Sequence, residues 1–201
     1  MHPAYLSGTA EVRRLQNDTH LVERMEPAKF MLDNRPPRTY TTGAVTRTLR
    51  ILGIMLVAGT VIALLVNYPK MPTTVPTHFN IRGEADAFGS KSSVLWLALT
   101  MAITQTLLAW VSTKPRIMNY PASITEQNAQ SLYREGERLI VWVGLCVSVL
   151  HASTALAFVS TAGGRVVAAA GTGLIVVTII GIIRLVRASG HTAETPSPNH
   201  R

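Results

Sequence analysis

Beyond a polar stretch of 47 residues, the apolar positions gather into four runs: Leu49 to Val66, Val94 to Ser112, Leu139 to Val159 and Val166 to Ile183. Each approaches the roughly 20 helical residues needed to cross a hydrocarbon core about 30 Å thick. No acidic or basic residue interrupts their interiors. Arg50 stands at the start of the first run and Arg184 just after the last. A helix of a soluble bundle would show charged residues every three or four positions on its outer face. The pattern therefore predicts an all-α polytopic membrane protein with four transmembrane helices. The first run begins too far along the chain for a secretory signal peptide, so it reads as an uncleaved helix.

The segments between the runs divide the chain further. Residues 1–47 read as a disordered basic cytoplasmic tail, broken by Arg35-Pro-Pro-Arg38. Within it, Thr9 to Glu26 could form a short amphipathic helix lying on a membrane surface. Residues 48–187 form the membrane domain, and 188–201 a second disordered tail. Tyr68 and Pro69 end the first span, Tyr68 suiting the interface and Pro69 stopping the helix. Ser90, Ser92 or Ser93 is placed to cap the second. In the second loop, Ser123-Ile-Thr-Glu126 fits a capping box. One long helix is expected from about 124 to 159, its first part projecting from the bilayer. Thr161-Ala-Gly-Gly164 reads as a tight turn into the fourth span. Gly144, Ser148 and Ala152 recur at spacing four, as do Ala169 and Gly173, which suits close helix packing within the chain or between copies.

Charge sets the expected orientation. The chain carries 19 Lys and Arg, 11 Asp and Glu and a formal net charge of +8. Most of the basic residues lie before the first span, in the second loop and in the C-terminal tail, which predicts both termini in the cytoplasm. The 68–91 loop then faces outward. The net charge follows from this topology and from attraction to anionic lipid, with no basic and aromatic platform to suggest nucleic acid.

The chemistry-bearing residues concentrate in the 68–91 loop. Pro72 and Pro76 stiffen the approach to His78, Phe79 and Asn80, Gly83 provides a turn needing positive φ, and Asp86 and Lys91 follow. His78 can bond loop backbone or titrate near neutrality. A metal site needs several converging ligands, and only Asn80, Glu84 and Asp86 stand near it in sequence, so no metal is assigned. Asp86 can organise loop amides or pair with Arg82 or Lys91. Phe79 offers an apolar contact. Within the spans, Gln105 and His151 are polar and could line a path between helices. Cys146, the single cysteine, reads as a small buried side chain. No catalytic set, phosphate loop or dinucleotide fingerprint is present, so neither an enzyme nor a cofactor is assigned.

The loop resembles the signature of a bacterial membrane family of uncharacterised domains related to the SdpI-type toxin immunity and signal-receptor proteins. Met71-Pro72, Val75-Pro76-Thr77-His78-Phe79-Asn80, Gly83, Ala85-Asp86 and Ser90-Lys91 carry the resemblance. The segment from Asn119 to Arg134 resembles the family's second loop, so the likeness covers roughly residues 49–183. It implies a multi-pass protein of the bacterial plasma membrane with an external loop that binds or senses a ligand. The partners it implies are membrane lipid and a secreted peptide or another membrane protein, with a homo-oligomer also open. A small transporter or accessory subunit is the alternative.

Overall fold

The structure is a computed structural model and describes residues 35–80, 82–158 and 163–190. The chain divides into two compact units, Met1–Pro37 and Arg38–Arg201. Only residues 35–37 of the first unit are described, so the architecture below is that of the second. The amphipathic segment from Thr9 to Glu26, the first half of the turn at 161–164 and the tail beyond 190 lie outside the described residues.

Four helices dominate: α1 (Ala44–Asn67), α2 (Ser93–Ser112), α3 (Ala129–Ala157) and α4 (Gly163–Gly190). All four are long and apolar enough to cross a membrane. The described residues are thus mostly helical, with four candidate membrane spans. The first three helices each bury a narrow stripe and expose apolar residues around the rest of their circumference, while α4 buries almost none of its apolar surface. In α1, Gly53, Val57, Thr60 and Leu64 face inward, while Ile51, Met55, Ile62 and Val66 are exposed. That distribution suits a helix whose outer surface meets lipid rather than water. Hydroxyls in the apolar stretches bond back to carbonyls of their own helix, as Thr60 does to Leu56, Thr106 to Ala102 and Thr178 to Leu174. Internal satisfaction of this kind is required where no water is available.

Helix α3 is the hub, packing against α1, α2 and α4. The small stripe on α3 serves this packing. The Ser148 hydroxyl donates to the Gln105 side chain of α2 and lies 3.1 Å from the Gly53 carbonyl of α1, while Gly144 admits the Gln105 amide. Ala169 and Gly173 do not repeat this on α4. Ala169 is exposed, and the space around Gly173 is open. The close approach of α3 and α4 occurs instead at Gly181, whose missing Cβ lets Leu139 lie on the α4 backbone.

The start of α3 differs from the expected one. The helix opens at Ala129, several residues after 124. The reciprocal capping pair is Thr125 with Asn128, not Ser123 with Glu126. The Thr125 amide donates to Asn128 Oδ1 at 2.8 Å, and the Asn128 amide to Thr125 Oγ1 at 3.3 Å. Asn128 is buried and its amide group also donates to the Ser123 carbonyl, which a solvated Glu126 could not replace. At the second span, Ser92 occupies the cap position without a side-chain cap bond. Its amide and hydroxyl both lie within reach of Ser90 Oγ.

Between α1 and α2 the chain does not run as an irregular loop. A 3-10 turn at Tyr68–Lys70 leads into an antiparallel hairpin, β1 (Thr74–Phe79) and β2 (Ala85–Ser90). Pro76 sits inside β1, which a two-stranded ribbon tolerates because both strands are edges. The register runs from Thr74 opposite Ser90 to Phe79 opposite Ala85, with an irregularity beside Thr77.

Candidate functional site

The hairpin is anchored at its base and open along its length. Met71 and Val75 are buried in a cluster with Val57, Leu64, Val94, Ala98 and Met101, so the ribbon grows out of the α1–α2 packing. The Lys91 amide donates to the Thr73 carbonyl at 2.9 Å and closes the base. The Lys91 ammonium lies 4.7 Å from the Tyr68 ring centroid, a cation–π contact. Pro72 precedes the strand and is exposed.

Asn80 builds the tip. Its side-chain oxygen accepts from the amides of Arg82 and Glu84, and its side-chain nitrogen donates to the Glu84 carboxylate at 2.9 Å. The Gly83 amide returns to the Asn80 carbonyl at 2.8 Å. Gly83 has φ 77°, in the region that favours glycine, and its backbone abuts Gly164 at the start of α4. Neither glycine leaves room for a Cβ at that contact.

His78 and Asp86 come together across the ribbon. Nδ1 of His78 lies 2.6 Å from Oδ1 of Asp86, with the side chains 67% and 45% exposed. Asp86 therefore engages the histidine, rather than Arg82 or Lys91 as the sequence suggested, and His78 engages a side chain rather than loop backbone. The reason is the register, which carries the two residues to opposite sides of the same turn. Phe79 is half-buried, whereas Phe88, not singled out in the sequence, is 63% exposed opposite Pro76. The result is a stiff ribbon presenting an ion-pair-capable dyad and an exposed aromatic ring.

The intramembrane polar residues do not form one site. Gln105 is buried and held by Ser148, as a packing bridge among three helices. His151 is half-buried on α3, its Nδ1 enclosed without a hydrogen-bond partner. Among the described residues no three His, Cys, Asp or Glu side chains converge as metal ligands.

A second polar centre lies at the other end of the bundle, around Glu137 of α3. Its side chain is only 2% exposed. Arg50 donates to Oε1 at 2.6 Å and Thr42 to the same oxygen at 2.7 Å, while Tyr40 and Arg38 donate to Oε2 at 2.9 and 3.3 Å. The carboxylate thus pins the segment before α1 onto α3. Burial, then the hydrogen bond and charge of Glu137, push the Tyr40 hydroxyl far above the ordinary phenol range. The sequence did hold a signal for this. Ala129, Tyr133, Gly136 and Gly144 mark the buried face of α3, and Glu137 falls on that stripe.

Residues 55–103 match the family described as a domain of unknown function (DUF1648). The matched segment runs from within α1, through the whole hairpin, into α2. The chain is also 36% identical over 66 residues to an uncharacterised protein of Archaeoglobus fulgidus, an alignment covering 29% of this chain. It spans 36% of that relative's length. No solved structure matches.

Proposed function

We propose that this chain is a non-enzymatic multi-pass membrane protein whose 74–90 hairpin is a recognition surface for an extracytoplasmic peptide or similar ligand. The observation that carries this reading is the pairing of a rigidly rooted base with an exposed working face. Val75 and Met71 are buried in the helix cluster, while His78, Asp86 and Phe88 stand in the open. Exposed aromatic and charged groups on a preordered ribbon bind with little ordering cost. The matched family segment contains the entire ribbon, and the resemblance to toxin-immunity and signal-receptor proteins points to a secreted peptide. His78 and Asp86 are the recognition pair, Phe88 and Phe79 the apolar contacts, and Asn80 and Gly83 the residues that shape the tip.

The test uses single cysteines at Thr74 and Ala87, both exposed, in a Cys146→Ser background. Intact cells are labelled with a membrane-impermeant thiol reagent, with and without the peptide fraction secreted by the same organism. Protection by that fraction, lost in His78→Ala and Asp86→Ala while labelling itself persists, is the expected result. Labelling that the fraction never alters would remove the recognition role.

A further inference from the structure

A groove between α3 and α4 has no part in the hairpin reading. It lies at the end of the bundle where α3 begins and α4 ends, in a cavity of about 270 Å³ walled by Leu139, Trp142, Val177 and Ile180. It continues into a cavity of about 420 Å³ lined by Arg134, Arg138, Arg184 and Arg187. The apolar part lies toward the middle of the helices and the basic part toward their ends. From Arg184 to Val177 the helix rises about 10 Å, within the roughly 15 Å that the acyl chains of one leaflet span.

Among the described residues Glu135 is the one carboxylate lining this groove, against the guanidinium groups of Arg134, Arg138 and Arg184. It takes Arg138 Nη1 at 2.6 Å and Arg184 Nε at 3.0 Å. That clamp fixes two guanidinium groups at the mouth, and Arg134 adds a third at the same opening. Arg134 also lies 5.0 Å from the Tyr40 ring centroid, which limits its freedom. Trp142, on the apolar wall, is 45% exposed.

The geometry points to a binding site for an anionic phospholipid, its phosphate at the arginine mouth and one acyl chain along the α3–α4 groove. A basic mouth on an apolar slot, at the depth of a lipid headgroup, is complementary to that molecule along its length. A soluble anion would use only the mouth and leave the apolar wall unfilled. The site requires that the helices lie in a bilayer and is independent of what the hairpin binds.

Trp142 is a built-in reporter. With Trp96→Phe and Trp110→Phe it becomes the sole tryptophan of the full chain. The purified protein is reconstituted in phosphatidylcholine vesicles containing graded fractions of brominated phosphatidylglycerol or, separately, brominated phosphatidylcholine. Quenching by the anionic lipid should exceed its bulk fraction, with a relative binding constant of about five or more, the contribution of one favourable arginine contact. Arg134→Gln should bring that constant close to one, while leaving the Glu135 clamp in place. Arg47→Gln removes a charge at the same end of the bundle but outside the groove, and should leave it unchanged. Millimolar inorganic phosphate should not compete. Equal quenching by the two lipids overturns the site, as does an equal drop in the Arg47 variant, which would reduce the effect to diffuse attraction. Displacement by free phosphate would assign the mouth to a soluble anion and overturn the lipid assignment.

Discussion

Glu137 shows why single residues matter more in this protein than their number suggests. A buried carboxylate is tolerated only when its charge and its lone pairs are met, and here four donors meet them. Glu137→Ala leaves Arg50 with a largely buried, uncompensated charge, and should cost about 3 kcal/mol, read as a lowered Tm in detergent. Adding Arg50→Met should recover part of the loss, because the orphaned charge goes with it. Tyr40 gives a matching prediction in pH. Its hydroxyl is held protonated in the folded protein to a higher pH than in the unfolded chain. Its contribution is therefore complete below the ordinary phenol value of about 10 and is lost as pH rises beyond it. Tyr40→Phe should flatten the alkaline fall in Tm that the native protein shows above that value, while costing about 1 kcal/mol at neutral pH for the lost hydrogen bond. Glu137 was hard to weigh in the sequence because it lies just outside the apolar run beginning at Leu139. Its partners Arg38, Tyr40, Thr42 and Arg50 are also remote in sequence, and only folding gathers them.

At the scale of elements, the helices were legible and the hairpin was not. A run of apolar residues without charge leaves one solution in lipid, a helix, so the four spans follow from physics that local sequence contains. The hairpin depends on register, and register depends on partners. Pro76 argues locally against a strand, and only the pairing of Thr74 with Ser90 and Phe79 with Ala85 overrides it. The true start of α3 was obscured for the same reason: two overlapping capping patterns compete, and burial of Asn128 selects the inner one. Gly83 tests whether the hairpin is one unit with the helix beneath it. Its positive φ disfavours any side chain, and an added Cβ would collide with the backbone at Gly164. Gly83→Ala should therefore loosen the tip and undock it from α4, at about 1–3 kcal/mol for the strained backbone. The expected readout is faster labelling of a cysteine at Ala87 and faster proteolysis between residues 80 and 85. The melting of the helices should be little changed, because Val75 and Met71 still root the base.

For the whole molecule, the two polar centres lie at different places in the fold, the hairpin at the α1–α2 turn and the Glu137 hub where α1 and α3 meet near their starts. Helix α3 packs against each of the other three described helices. Whether that arrangement senses the outside depends on orientation, and the distribution of Lys and Arg argues for one answer. Basic residues gather at the end where α1 starts, α3 starts and α4 finishes, which includes Arg38, Arg47, Arg50, Arg134, Arg138, Arg184 and Arg187. Translocating that end would carry this charge across the bilayer, whereas the hairpin side exposes only Lys70, Arg82, Lys91 and Arg165. The termini should thus remain in the cytoplasm. A green fluorescent protein fused after Arg201 should fluoresce, and alkaline phosphatase fused at the same position should be inactive. The same phosphatase fused after Ser92, beyond the first span and the hairpin, should be active. The reverse pattern would place the hairpin in the cytoplasm, where a secreted peptide could not reach His78 and Asp86, and the arginine groove in the outer leaflet. A single topology experiment therefore decides the side on which both proposed ligands must be sought.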